Sequence, residues 1–392
     1  MALQKIQLRP GINRESTSYA NEGGYYDCDK VRFRSGFPEI LGGWVRLSNA
    51  TFKGACRALL NWITLSNENY VGVGTNQKYY VEWGGAYYDI TPIRETTPAG
   101  AATFAATNGS SIITVTDTSH GAINGDFVTF SAAVSLGGNI TADVLNREFE
   151  ITYLTVNTYT IDVGVAANGS DTGNGGVNTV ARYQINTGAE LAVVGTGWGT
   201  GVWGRGGWGS AFAGDVTTDL RLWTHDTYGE DLVFAPRGGQ LYYWDASLGL
   251  AVRGVYLKDA ATAAGWGGDF VPTQTNQVIS SGLSRIIIAL GANNYDPTNP
   301  NTPFDPLLVR WADQENTFEW VPTALTQAGE QRLTAGSFIV CGRLTRQEIL
   351  IWTNSALYSM QYIGPPFVFG FNLLMDNSIL GLPFGNLDPS MI

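Results

Sequence analysis

The stretch Leu232-Val233-Phe234-Ala235-Pro236-Arg237-Gly238-Gly239-Gln240-Leu241-Tyr242-Tyr243-Trp244 decides the fold. Two apolar runs of strand length flank a Pro-Arg-Gly-Gly turn, the pattern of an antiparallel hairpin. It recurs at Tyr70-Val71-Gly72-Val73-Gly74 and Tyr79-Tyr80-Val81-Glu82-Trp83, on either side of Thr75-Asn76. It recurs again at Ile349-Leu350-Ile351-Trp352, where Thr353-Asn354-Ser355-Ala356 leads into Leu357-Tyr358-Ser359-Met360-Gln361. A looser copy runs from Ile286 to Leu290 and resumes from Leu307 to Trp311, around a surface loop with four prolines, Pro297, Pro300, Pro303 and Pro306. One such hairpin cannot bury its own apolar face, so the copies predict blades arranged radially, each covering its neighbours. A propeller is therefore favoured over a sandwich; the bland alternative is coincidence among the hairpins of a Gly-rich β protein.

Composition agrees. The 392 residues include 49 Gly, 12 Trp, 18 Tyr and 17 Phe, while only 15% are charged. Helix-rich chains need many more Glu, Lys, Arg and Ala to coat their solvent faces, so the whole chain reads as all-β. Between 98 and 182 the texture changes to Ala, Thr, Asn and Gly, without tryptophan and with strict period-two patterning. Ser111–Thr116, Asp126–Phe130, Glu148–Tyr153 and Thr158–Ile161 read as its strands, giving a small β-barrel or sandwich. The expected organisation is thus 1–97 as the first part of a propeller-like body, 98–182 as an inserted platform-like β domain, and 183–392 as the remaining blades. Beyond Met375 strand signals fade, so an incomplete propeller lacking a last blade is expected.

The net charge of −11 disfavours a sequence-specific reader of DNA, because such a surface repels phosphate. It suits a wall past which nucleic acid slides without sticking. Cys28, Cys56 and Cys341 are too far apart for a zinc site or disulfide framework and read as reduced thiols. No run approaches the roughly 20 apolar residues of a spanning helix, and the N-terminus lacks a leader's apolar core, which points to a cytoplasm as the place of assembly.

Few residues invite chemistry. Residues 195–209 hold eight glycines and the tryptophans Trp198, Trp203 and Trp208. Within them Gly199-Thr200-Gly201-Val202-Trp203-Gly204 matches a dinucleotide fingerprint in form only, since no helical pattern follows. Aromatic stacking on sugars or bases is one role for the three tryptophans; anchoring the loop in its own or a neighbour's core is the favoured one. His120 and His225 have no second imidazole at ligand spacing, so no metal or cofactor is expected. His225-Asp226 and Asp231 form the one imaginable acid-base set, but Thr224–Gly229 reads as an ordinary loop. In Tyr25–Arg34 alternation puts Val31 and Phe33 on one face and Lys30, Arg32 and Arg34 on the other, where they are solvated or meet a neighbouring subunit. Lys30, Arg32, Arg34, Trp198, Trp203 and Trp208 are accordingly the candidate subunit-interface residues, and no catalytic residue is expected.

Those opening residues carry a resemblance. Pro10-Gly11-Ile12-Asn13-Arg14, Tyr19-Ala20-Asn21-Glu22-Gly23-Gly24-Tyr25-Tyr26-Asp27-Cys28-Asp29-Lys30-Val31-Arg32-Phe33-Arg34, Gly36-Phe37-Pro38-Glu39 and Gly42-Gly43-Trp44 resemble the start of tail nozzle proteins of short-tailed bacteriophages, also called tail tubular protein B or packaged DNA stabilisation proteins. The Gly/Trp loop and the hairpin at 232–244 look similar too; 98–182 less so. The resemblance implies a structural virion protein, a homohexameric ring below portal and adaptor, contacts to tail fibres or a needle, and a channel through which DNA is held and ejected. It also implies strands beyond Leu374, which are missing here, so a short natural form or a truncated product is expected. Two other readings make different predictions: a lectin-like propeller would stack tryptophans on sugars, and a propeller glycosidase would converge two carboxylates on its axis.

Overall fold

The computed structural model describes residues 9–15, 17, 19–43, 45–46, 48–187 and 222–376. Met1–Asn49 and Ala50–Ile392 form two units. In the first, β1 (Val31–Arg34) and β2 (Phe37–Ile40) make a hairpin in the register Arg32↔Glu39. Its two-residue turn, Ser35-Gly36, has φ of 51° and 86°, the left-handed pair that matches strand twist.

The second unit opens with a four-stranded antiparallel meander, blade 1: β3 (Cys56–Ile63), β4 (Asn69–Thr75), β5 (Tyr79–Trp83) and β6 (Ala86–Asp89). An insert follows, comprising β7 (Ile93–Thr96), β8 (Thr103–Ala106), β9 (Ile112–Thr116), β10 (Phe127–Ser131), β11 (Glu148–Glu150), β12 (Thr152–Thr155), β13 (Thr158–Asp162) and β14 (Val180–Gln184). Blade 2 holds β15 (Trp223–Tyr228), β16 (Asp231–Pro236), β17 (Tyr242–Trp244) and β18 (Val255–Tyr256). Blade 3 holds β19 (Thr275–Ser281), β20 (Ile286–Asn293), β21 (Phe304–Trp311) and β22 (Gly329–Arg332). Blade 4 holds β23 (Ile339–Leu344), β24 (Ile349–Thr353), β25 (Ala356–Gly364) and β26 (Val368–Asp376). Each of these blades pairs its strands in chain order. The first strands are neighbours in the succession β3, β15, β19, β23, so the body is propeller-like with the first strand of each blade innermost.

The four hairpins read from the sequence are the middle strands of the four blades: β4–β5, β16–β17, β20–β21 and β24–β25. Their apolar runs are uninterrupted because neighbours cover both faces. Along β20, Ile286, Ile288 and Leu290 enter the core shared with blade 4, while Ile287, Ala289 and Ala292 enter the core shared with blade 2. Along β16, Leu232 and Phe234 face blade 1 while Val233 and Ala235 face blade 3. Side chains alternate faces with period two, so one strand feeds two cores, and each fully buried aliphatic side chain contributes about 1.5–3 kcal/mol.

A repeated latch ties each middle turn to its own inner strand. In blade 1 the Thr75 hydroxyl accepts from Lys78 N at 2.8 Å, and Asn76 Oδ1 accepts from Ala55 N, just ahead of β3, at 2.7 Å. In blade 4 Thr353 accepts from Ala356 N at 2.9 Å and Asn354 Oδ1 from Ser337 N at 2.7 Å. Glycine precedes both sites with positive φ, 87° at Gly54 and 109° at Gly336. A Cβ there would lie 2.6 Å from Asn76 Oδ1 and from Thr353 Oγ1 respectively. Blade 3 closes in the same way through Asn293 Oδ1, which accepts from Thr273 N at 2.8 Å. Among the described residues blade 2 shows the backbone bond, Arg237 N to Leu222 O at 2.7 Å, with arginine where the others have asparagine.

The insert is two four-stranded sheets, in the orders β11-β10-β14-β7 and β12-β13-β9-β8, around one core that includes Phe104, Val128, Phe130 and Tyr159. It is a sandwich rather than a closed barrel. Inside it Tyr159 and Tyr183 join hydroxyls at 2.9 Å and Tyr183 donates to Asp117 at 2.6 Å, so these two buried hydroxyls are satisfied.

Candidate functional site

The predicted basic face is smaller than alternation suggested. Lys30 sits just outside β1 with φ 57°, a left-handed turn that ends the extended backbone, and lies 3.8 Å from Asp29. Arg32 donates through Nε to Glu39 Oε2 across its own hairpin at 2.9 Å, and that bond holds its guanidinium above the ordinary arginine range. Arg34 is exposed. Trp198, Trp203 and Trp208, with the whole 195–209 loop, lie outside the described residues.

Thr224–Tyr228, read as loop, belongs to the innermost strand of blade 2. Its polar side chains were misleading because they bond to the neighbouring inner strands instead of to water. Thr224 Oγ1 accepts from Val278 N at 2.9 Å and Asp226 Oδ2 from Ser280 N at 2.8 Å, both on β19. Trp223 and His225 point the other way. The Trp223 indole donates to Thr75 O at 2.5 Å, and His225 Nδ1 meets the Tyr79 hydroxyl at 2.6 Å. Alternation therefore sends His225 and Asp226 to opposite faces, and they make no acid-base pair. Burial pushes His225 down to about 4, against a bond with the Leu59 backbone that works the other way. Burial likewise pushes Asp226 up, opposed by the bonds from Ser280 and Thr227. Asp231 receives the Tyr243 hydroxyl and Ala246 N and also serves the fold.

Where the four inner strands begin, they surround a cavity of about 360 Å³. Arg57, Trp223, Asn276 and Val340 bring one residue from each blade, and Arg237 and Arg343 join them. Among the described residues no Asp or Glu lines it. Arg237 Nη2 donates to Val340 O at 3.4 Å, which tilts the arginine of blade 2 toward blade 4. Gln277 bonds both ways to Gly342, accepting from its N at 2.7 Å and donating to its O at 2.9 Å. The buried Cys341 thiol registers the local field: burial pushes it up while Arg343 and Arg237 pull it back. Nothing in the sequence pattern joins positions 57, 237 and 343; only the succession of blades does.

A second charged cluster holds the insert to the body. Lys78, 1% exposed, places Nζ 2.6 Å from both Asp89 Oδ2 and Glu148 Oε1. Arg253 of blade 2 reaches the same carboxylates at 3.1 and 3.3 Å. Burial would raise Asp89, but Lys78 and Arg253 outweigh it and hold the carboxyl below its usual range. Thr187 and Gln184 donate to Asn76 O and Gln77 O at 2.5 and 2.9 Å, fixing the insert beside the blade 1 latch. Cys28, Cys56 and Cys341 are free thiols. Among the described residues no three acidic, His or Cys side chains cluster as metal ligands, and no helix is long and apolar enough to cross a membrane.

No family model matches the chain, and no curated protein does. Among solved structures, one similar to it is the phage phi92 endosialidase, at 10% identity and a TM-score of 0.23. The match covers 79% of this chain and 41% of that one, so the chain spans about two fifths of that structure's length.

Proposed function

We propose that this chain is a structural subunit of a bacteriophage short tail, one of six in a nozzle ring around the channel that retains and ejects viral DNA. The observation that carries this reading is the clamped pair of bodies. Propeller-like blades and a sandwich insert are pinned together by Lys78, Asp89, Glu148 and Arg253, which makes a stiff wall with a plate on it. The opening residues 10–44 supply the resemblance to that family. Its work is shape rather than turnover.

DNA runs past the subunit and not through its axis, because 360 Å³ is the size of a small-ligand pocket, whereas a duplex has a major groove alone about 12 Å wide. Six copies carry a formal charge of about −66, six times −11, and a wall of that sign keeps passing phosphate from adhering. Its partners are its own copies, the adaptor and portal side above, and fibres or needle below. It assembles in the host cytoplasm and resides in the virion tail.

Native mass spectrometry and electron microscopy of the full chain, alone and mixed with an adaptor ring, test the reading. A closed sixfold ring on the adaptor is expected. A chain that stays monomeric under both conditions, and that binds neutral glycans on an array, would instead be the lectin-like module.

A further inference from the structure

We propose that the β1–β2 hairpin is an arm that adds to the open edge of β26 in a second copy of this chain, so that each copy gives one hairpin and receives one. The ring reading sets only how many copies take part; the contact itself rests on the two surfaces that meet. Among the described residues of Met1–Asn49 only the polar Asn21 is buried. Tyr19, Phe37, Ile40 and Val45 are each at least 74% exposed. A lone two-stranded hairpin is marginal in water and needs a further strand or a packed face for its stability. Here the cross-strand pairs Val31↔Ile40 and Phe33↔Pro38 give one apolar face, and Tyr25 packs on Phe33 with 5.1 Å between ring centroids.

Register decides which edge of the hairpin is free. The two-residue turn Ser35-Gly36 makes Arg34↔Phe37 a hydrogen-bonded pair, so the alternate pairs Phe33↔Pro38 and Val31↔Ile40 turn their backbone groups outward. On β2 an outward place falls on Pro38, which has no N–H to give. On β1 the outward places fall on Val31 and Phe33, which offer N–H and C=O groups to a further strand. The outer edges of the blades differ in the same respect. β6 has four residues and β18 two, and β22 carries Glu330 and Arg332. β26 runs for nine residues with no proline and no charge before Asp376, and Asn372, Leu373, Leu374 and Met375 are all exposed. Short or charged edges resist pairing, whereas a long uncharged one takes an extended segment by backbone bonding. Charge selects a copy of the same chain as the source of that segment. Residues 1–49 hold seven basic and five acidic side chains, a net of +2, and residues 50–392 carry the remaining −13 of a chain whose sum is −11. Opposite signs draw the arm onto a neighbouring body. Arm and edge are different surfaces, so the contact is heterologous and passes from copy to copy until it closes.

Analytical ultracentrifugation of the full chain tests this with two variants. Phe33→Pro removes an outward donor from the arm, and Leu374→Lys puts a charge on the receiving edge. Each variant by itself should self-associate about tenfold or more weakly than wild type. An equimolar mixture keeps one sound arm and one sound edge, so it should form pairs of unlike chains and stop there. Phe33→Leu, which keeps the N–H, should assemble as wild type does. Unchanged urea midpoints show that the blades stay folded, and amide exchange at 372–375 should be slow in assembled wild type and fast in Phe33→Pro. Undiminished self-association of both variants, a mixture no better than its components, or equal exchange at 372–375 in wild type and Phe33→Pro overturns the proposal. A monomeric wild type overturns it too, and if exchange at 372–375 then slows only on an adaptor ring, the edge belongs to a different protein. Both variants closing a sixfold ring on the adaptor as readily as wild type would remove the arm and leave the ring standing.

Discussion

Blade meets blade through aromatic and aliphatic side chains and hydrogen bonds to backbone, whereas blade meets insert through a charge cluster centred on Lys78, Asp89, Glu148 and Arg253, with Lys53 3.9 Å from Glu148 at its edge and the bonds of Thr187 and Gln184 beside it. At the first kind of junction Thr224, Asp226 and Gln277 bond to backbone groups of the next inner strand, and every inner strand has such groups to offer. At the second, Lys78 and Arg253 must find Asp89 and Glu148, which are matched in sign, number and place once only. A repeated joint can be generic, while a joint that occurs once carries its own address. The desolvation of buried ions makes the second kind unforgiving when one partner is lost.

The contrast is open to attack, with the largest effect at the insert. Lys78→Met should cost about 3–5 kcal/mol, because it leaves Asp89 and Glu148 facing each other with one cation removed. Urea unfolding should show it, and limited proteolysis should cut the insert first. At the joint of blades 1 and 2 the pH response should come next. His225 titrates near 6.5 in an unfolded chain and about 4 in the fold, so the unfolded state binds more protons between these values. Stability is then complete above about pH 6.5 and falls by roughly 3 kcal/mol as pH drops to 4. Denaturation series at pH 7.5 and 4.5 should therefore differ less for His225→Gln than for wild type.

Gln277→Leu should cost about 2 kcal/mol, since the N–H and C=O of Gly342 both lose their partner at the joint of blades 3 and 4. Thr224→Val, which removes the bond from Val278 N and the longer one to Val278 O and keeps the shape, should cost about 1 kcal/mol. A Thr224→Val loss as large as that of Lys78→Met, read by the same urea midpoints, would break the distinction between the joints.

The parts of the fold legible in sequence are those whose side chains answer to period and apolarity. The middle strands of the blades showed themselves, as at Leu232–Trp244 and Ile349–Gln361, because both faces of a central hairpin are paved with apolar groups. Inner strands did not. Trp223-Thr224-His225-Asp226-Thr227-Tyr228 alternates between two neighbours that both accept polar side chains, so it carries the composition of a loop. The insert announced itself by texture, but β7, at Ile93–Thr96, is too short and polar to separate from the blade before it. Arg57, Arg237 and Arg343 were out of reach for a different reason: each is an isolated basic residue at the edge of a strand or turn, and their meeting is a property of how the blades succeed one another. The threonine-asparagine turn was visible twice, at Thr75-Asn76 and Thr353-Asn354, yet its purpose depends on Ala55 and Ser337, which no spacing connects to it.

One detail of the insert bears on how such a molecule changes over time. Its first and last strands, β7 and β14, lie side by side, with Ile93 opposite Gln184 and Thr96 opposite Arg182. The polypeptide thus departs and returns along adjacent tracks, and everything hung beyond them is tethered like a cartridge on a two-pin socket. Lineages can exchange that cartridge for another, or shorten it, while the turbine beneath keeps its spacing and only the ionic pins need redrawing.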